Sequence, residues 1–389
     1  MADDPATLRG SLILAAGAMT VMSGAAIAPA LGRMHADLSM GTGEGVDRLV
    51  LILPAIVILF LGPAIGHLAS RVPPRIFLCA SLVVLAVVGA IGGLASGYTW
   101  LFLTRTILGL ATAAVLCAAT AAILRFYDGP ARGRMMSAQT ACNTVSGVVF
   151  IVCGGLLATV DWRLAFLVYL FALPVAALAW REEWGATTGR TIDARPASGI
   201  GHDLPLLALV VLAMGGFYLL PTQVPFLHDR IDGPAQAALV IGAGTLASAP
   251  FAMLSPRAAQ RIGRLPTSLA GIAVMAMGNL MMVLATGPLI ATVAAVLIGG
   301  GFGLILPLAI LMVMERAEPG GREAKSGWVA SALYCGQVFA VAFATLLHGF
   351  GAVTPFAVFA FALSCGLLAV GVGAMTSIAT WRRASHKNE

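Results

Sequence analysis

The chain has 389 residues, of which 59% are hydrophobic and 10% charged, with 45 glycines and a formal net charge of +6. Soluble domains carry about 25% charged residues, so this composition excludes a soluble globular domain and defines an integral membrane protein. The basic residues are spread in twos and threes between apolar runs rather than gathered on one face, which excludes nucleic acid and leaves the lipid bilayer as the partner.

A helix that crosses a bilayer needs about 20 apolar residues. Such runs fall at 11–31, 48–69, 76–96, 100–125, 134–158, 162–181, 204–226, 235–255, 266–286, 288–314, 326–349 and 353–380, twelve in all. The first lacks a cleavage site and is followed by others like it, so it reads as a span and not as a signal peptide. The spacing predicts an all-α integral membrane fold of twelve transmembrane helices. With a cytoplasmic N-terminus, 18 of the 23 Lys and Arg residues fall inside, four (Arg33, Arg48, Arg163, Arg230) fall outside and Arg105 falls within the membrane. That asymmetry places both termini in the cytoplasm, and Trp100, Trp162, Trp180, Trp184 and Trp381 mark interfacial ends. The six cysteines lie in apolar runs without metal-ligand spacing, which predicts small packing residues and no bound metal.

The longest hydrophilic stretch divides six spans from six. It predicts an N-terminal six-helix bundle over 1–181, a cytoplasmic linker over 182–203 and a C-terminal six-helix bundle over 204–389. Weak internal matches agree with a duplication. Arg71-Val72-Pro73 pairs with Arg261-Ile262-Gly263 and Arg132 with Arg322, displaced by 190, while Pro29, Asp37 and Gly109 pair with Pro221, Asp229 and Gly301, displaced by 192.

Several local motifs carry a family resemblance. They are Ala28-Pro29-Ala30-Leu31 with Ala36-Asp37-Leu38, the run Gly66-His67-Leu68-Ala69-Ser70-Arg71-Val72-Pro73-Pro74-Arg75, Arg105-x-x-x-Gly109, and Gly154-Gly155-Leu156-Leu157-Ala158 followed by Asp161-Trp162-Arg163 and Phe166. Together with twelve spans divided six and six, they resemble the major facilitator superfamily, and within it the twelve-helix drug:proton antiporter branch. The resemblance implies that the loop between spans 2 and 3 works as a cytoplasmic latch, with Gly66, Ser70, Arg71 and Arg75 in the matching positions. Ser70 replaces the family's acid and Pro73 its second glycine. A hydroxyl caps a helix but supplies no charge, so the latch is expected to rely on other groups, such as Asp128 beside Arg125 and Arg132. Topology alone also accounts for Arg71 and Arg75 as positive-inside anchors. Antiporters of the family often carry Gly-Pro before the paired glycines of span 5, where this chain has Phe150-Ile151. Gly147, Gly154 and Gly155 nevertheless predict tight packing there.

Proton-driven exporters need a buried carboxylate that loads and releases protons, and none of the 17 acids lies at mid-span. Glu44 and Asp47, at the start of span 2, are the best candidates, although acids at helix starts also serve the helix dipole. Arg105 is a costly charge within the membrane. Three roles stay open for it: tuning a proton site through its field, binding an anionic substrate with its planar fork, or joining helices. Thr20, Ser23, Asn143, Tyr218, Gln223, Tyr334 and Gln337 are the polar candidates for a central cavity, and Met275, Met277, Met281 and Met282 are candidates for an adaptable apolar surface. No phosphate-binding Gly-x-x-x-x-Gly-Lys-Ser/Thr loop occurs, and no catalytic cluster lies at membrane depth. The sequence therefore predicts a transporter and not an enzyme, with no cofactor. The resemblance implies a monomeric, multi-pass protein of the bacterial inner membrane that exports a small amphiphilic compound (a drug, an antibiotic or a secreted metabolite such as a siderophore) in exchange for protons. The alternative is a carrier of a small organic anion or nutrient held by Arg105.

Overall fold

The computed structural model describes residues 5–38, 45–69, 71–127, 129–182, 200–227, 229–315, 322–347, 350 and 353–363. Among these, all regular structure is helical. Helix α1 (Pro5–Met19) continues as three short pieces, Met22–Ala25, Ala28–Ala30 and Leu31–Leu38. The following helices are α2 (Gly45–Ala69), α3 (Pro74–Ile91), α4 (Tyr98–Phe126) and α5 (Gly129–Val160). Helix α6 (Ala172–Arg181) is preceded by a 3-10 stretch, Trp162–Phe171. The second group comprises α7 (Ile200–Gln223), α8 (Gly233–Ile262), α9 (Arg264–Leu284), α10 (Pro288–Glu315), α11 (Arg322–Leu346) and α12 (Thr354–Leu363). Among the described residues, ten segments are long and apolar enough to cross a bilayer. With α2 and the described part of α12, the helices occupy the twelve predicted positions. Phe60, Leu94, Val160 and Leu289 are all more than 70% exposed, a surface that calls for lipid rather than water.

The first span departs from the single helix expected over 11–31. Thr20 Oγ1 donates to the Gly17 carbonyl at 2.7 Å and Ser23 Oγ to the Thr20 carbonyl at 3.1 Å, so side-chain hydroxyls compete with the helical ladder where α1 stops. Pro29 then offers no N–H to the chain before it. At the α8–α9 turn, Gly263 holds φ +94°, a conformation strained for any residue with a Cβ. The matching place between α2 and α3 is Pro73, and Pro74 opens α3, where the missing N–H costs nothing.

Among the described residues, two large buried apolar clusters form beside a smaller third one of Leu207, Val210, Ala309, Val313, Val329 and Ala332. One draws on residues from Ile13 to Ala179 and includes Phe226 of the second group; the other draws on residues from Ala213 to Leu363 and includes Ile151 of the first. Similar close approaches recur in both groups. A methyl on Gly109 of α4 would sit 2.9 Å from Pro54 Cα of α2, and one on Gly303 of α10 would sit 2.2 Å from the Ser248 carbonyl of α8. Between the groups, α5 meets α8. Gly155 has room for no methyl against Ala238 Cβ, 2.3 Å away, and Gly147 faces Val21 and Thr245. The arginine distribution assigns this end of the molecule to the outside. Along α2 the outer half is buried at Val50, Leu51 and Ile52, whereas Phe60, Leu61 and Leu68 toward the inner end are exposed.

Candidate functional site

Arg105 lies about two turns into α4 and is 1% exposed. Its Nη1 donates to the Tyr169 hydroxyl at 2.6 Å and to the Ser23 carbonyl at 3.1 Å, and Tyr169 Oη donates to the same carbonyl at 3.0 Å. That carbonyl belongs to the broken stretch of the first span, so the guanidinium ties the break to α4 and to the Trp162–Phe171 stretch. The guanidinium carbon also stands 4.9 Å from the Phe166 ring centre and 5.4 Å from that of Tyr169, within cation–π range. These two rings are three residues apart in a 3-10 segment, where residues i and i+3 eclipse one another, so both present the same side to Arg105. Glycines near the end of α3 and just beyond it make their seats. A methyl on Gly89 would lie 2.3 Å from Tyr169 Cγ, and one on Gly92 would lie 2.6 Å from Phe166 Cδ1. Arg105 Nη2 is buried and has no hydrogen-bond partner among the described residues.

At the outer end, Asp47 and Arg48 open α2, both 0% exposed. Asp47 accepts from Tyr98 Oη at 2.7 Å and sits 2.6 Å from His35 Nδ1. A buried carboxylate is costly unless hydrogen-bonded, and these two groups supply its partners. His35, about a quarter exposed, stands between Asp47 and the surface. Arg48 turns the other way, and its Nη2 donates to Gln223 Oε1 at 3.1 Å. The structure thus moves two expectations: Arg48, counted among the outside loop charges, is wholly buried, and Gln223, a candidate for the central cavity, lies at the outer end. Nearby, Asp37 accepts from Trp162 Nε1 and Arg163 Nη1, each at 2.9 Å, pinning the Leu31–Leu38 segment to the start of the 3-10 stretch.

At mid-depth, the polar candidates behave differently from one another. The hydroxyls of Thr20 and Ser23 are spent on their own helix, as described above. Gln139 of α5 lies flat on Gly17, where a methyl would be 1.6 Å from its Nε2, and donates to Asn143 Oδ1 at 3.1 Å. The Tyr218 hydroxyl reaches Gly24 of the first group, where a methyl would be 3.0 Å away. Tyr218 is near enough to Tyr169 and Tyr334 for electrostatic interaction, and Tyr334 is similarly near Cys117 of α4. Close packing of α7 on α11 sets this up, because a methyl on Gly336 would be 2.7 Å from the Val211 carbonyl. Asn143, Tyr218, Tyr334 and Gln337 are all partly exposed. The α9 methionines divide: Met275 and Met282 are buried core, whereas Met277 is 58% exposed on the outer surface of the bundle.

At the inner end, each charge with a described partner stays within its own group. Arg75 stacks on Trp180 at 4.4 Å and donates to its carbonyl, Arg9 pairs with Glu182 at 3.0 Å, and Arg264 pairs with both carboxylate oxygens of Glu315. Arg71 is exposed. Gly66 and Arg132 lie within α2 and α5, while Glu44, Ser70 and Asp128 lie outside the described residues. Sequence reasoning did not single out His35, Tyr98, Gln139 or Tyr169. The readable signal for Tyr169 was the pairing of Phe166-x-x-Tyr169 with Gly89-x-x-Gly92; the other three carry none before their helices are packed.

An all-helical body of bilayer-crossing length, with a broken first helix and partly exposed polar side chains in its spans, defines a polytopic membrane protein. The Major Facilitator Superfamily family model matches residues 13–319 and 205–387. The chain belongs to that superfamily. It is 29% identical over 175 residues to the uncharacterized MFS-type transporter YhhS of Escherichia coli K12, a match covering 44% of this chain and 41% of that protein. The same figures hold for YhhS of Shigella flexneri, so the match spans about two fifths of the length of these relatives. In fold, the chain resembles an inward-facing, unoccupied bacterial homologue of the human lysosomal transporter Spinster. The TM-score is 0.70 at 15% identity, over 90% of this chain and 84% of that one. It also resembles a mutant of the nucleoside transporter NupG, with TM-score 0.75 at 10% identity, over 93% of this chain and 99% of that one.

Proposed function

We propose that this protein exports a small amphiphilic compound across the bacterial inner membrane in exchange for protons. It works as a monomer with two six-helix bundles, 1–181 and 204–389, that rock about a central site. The observation that carries the proton half of this reading is Asp47. It is a fully buried carboxylate held by Tyr98 and by the partly exposed His35, immediately beside the residue that joins the two groups of helices. A proton gained or lost there changes charge at a point where the two groups meet. The substrate half rests on the mid-depth lining. Tyr218, Tyr334, Asn143 and Gln337 offer ring faces and neutral hydrogen-bonding groups, which suit a molecule with apolar and polar parts. Glu44 and Arg132 keep their proposed roles in coupling and at the inner gate, alongside Gly66, Ser70, Arg71, Arg75 and Asp128.

A second reading, a carrier of small organic anions, is favoured by one observation, the unpartnered Nη2 of Arg105. Purified protein in liposomes separates the two. Flux of a neutral antibiotic, a catecholate and a dicarboxylate is followed with and without an imposed pH gradient, for the parent and for Asp47→Asn. The export reading expects gradient-driven flux of the neutral compound that collapses in Asp47→Asn. Dicarboxylate flux indifferent to the gradient would replace it with the anion carrier.

A further inference from the structure

Successive residues on a helix point about 100° apart, and at the start of α2 that angle separates two neighbours by task. Asp47 faces its own group, toward His35 and Tyr98. Arg48 faces the second group, donating to Gln223 and placing its guanidinium 4.8 Å from the centre of the Phe226 ring. Both partners come from the end of α7, where the helix gives way to the 3-10 turn Val224–Phe226. Phe226 is 4% exposed and counts among the first group's buried cluster although the second group supplies it. His35 meets the same ring edge-on at 6.2 Å. Two side chains of the first group therefore hold one ring of the second at the outer end. The described ion pairs of the inner end, Arg9 with Glu182 and Arg264 with Glu315, cross nothing.

We infer that Arg48 is the outer-gate residue of this transporter: its clasp on Gln223 and Phe226 holds the outer end closed and must release for the protein to open outward. Arg48 is a positioning residue, since it acts on the gate and not on the transported molecule. The geometry suits a latch rather than a permanent joint. The hydrogen bond to the neutral amide and the ring contact are strong while dry and are replaced by water once the end opens. The contact also has a built-in means of tightening. Gln223 Nε2 is buried with no partner among the described residues, so Gln223→Glu loses no hydrogen bond there and sets a carboxylate against the guanidinium. This inference depends only on alternating access and not on which ion or substrate drives it.

The test measures the outer opening directly. Nitroxide labels are attached at Val160→Cys on α5 and Leu289→Cys on α10, both exposed and both at the outer end, in a background with the six native cysteines replaced. Electron–electron distances are recorded in lipid nanodiscs without substrate or gradient, so a failure of proton coupling does not touch the result. Arg48→Ala is expected to raise the ratio of long to short distances at least about tenfold, equivalent to ~1.4 kcal/mol. Gln223→Glu is expected to lower that ratio and to slow transport, with thermal stability no lower than the parent's. Opposite shifts from the two variants are the signature of a latch, because a merely structural contact would lose stability without redistributing the two distances. If Arg48→Ala does not fold, Arg48→Lys replaces it; this keeps the charge without the planar fork and is expected to raise the ratio by a smaller factor. Unchanged distances in the folded arginine variant, or a shift toward opening in Gln223→Glu, would overturn the assignment.

Discussion

Replacing Gly89 with alanine tests whether the seat on α3 holds the tyrosine that holds Arg105. The added methyl would lie 2.3 Å from Tyr169 Cγ, 2.6 Å from its Cβ and 2.7 Å from Cδ1. These atoms are the root of the ring, not the end of a flexible chain, so relief requires the whole ring to move by about 1 Å or the α3 backbone to yield. Overpacking of this kind costs roughly 1–3 kcal/mol. Moving the ring also carries its hydroxyl off Arg105 Nη1, now at 2.6 Å, and off the Ser23 carbonyl, now at 3.0 Å. Loosening a hydrogen bond to a buried charge adds roughly 1.5–3 kcal/mol, so Gly89→Ala is expected to destabilise by about 2.5–6 kcal/mol. The control is Gly62→Ala in α2, where a methyl meets nothing within 4 Å and helix propensity favours alanine by about 0.5–1 kcal/mol. Reversible unfolding of both variants in mixed detergent micelles, followed by tryptophan fluorescence, gives the comparison. Equal stability of Gly89→Ala and Gly62→Ala would refute the cage around Arg105.

Arg105→Met separates a structural from a functional role for the arginine. Tyr169 still donates to the Ser23 carbonyl and a buried unpaired nitrogen disappears, so stability should stay within ~1 kcal/mol of the parent while liposome transport is lost; retained transport would leave Arg105 a packing residue. A methyl on Gly154 would fall 1.9 Å from the Ala26 carbonyl, and backbone cannot step aside as a side chain can. Gly154→Ala is therefore expected to reduce folded yield in size-exclusion chromatography far more than Gly287→Ala, where nothing lies within 4 Å. The Arg264–Glu315 pair is nearly half exposed on both sides. Arg264→Ala should thus change thermal stability by less than ~1 kcal/mol, an effect that 0.5 M salt removes.

The spans of the described residues, their approximate ends and the membrane class were legible because each depends on a local property. About twenty apolar residues in a row must leave water whatever surrounds them. The cost of Arg105 was legible for the same reason, as was the need for close contact at Gly154 and Gly155. Its partners were not, since Tyr169 is 64 residues away and the Ser23 carbonyl 82, and a backbone acceptor has no sequence signature at all. The break in the first span was not legible. Pro29 lies inside the run read as one helix over 11–31, and the hydroxyls of Thr20 and Ser23 looked like cavity linings until their bonds to Gly17 and Thr20 were seen.

The start of α2 marks the boundary most clearly. Asp47 and Arg48 read as a polar helix start near the outer surface, and by hydropathy alone they belong in water. The sequence by itself determined that two opposite charges stand side by side there. Only the tertiary structure decided that both are buried, one turned to His35 and Tyr98 and the other to Gln223, 175 residues away. The physical reason is that burial belongs to the packing of whole helices. Which face of α2 meets α7 follows from how the two groups close at their outer end, and no local run of residues carries that information.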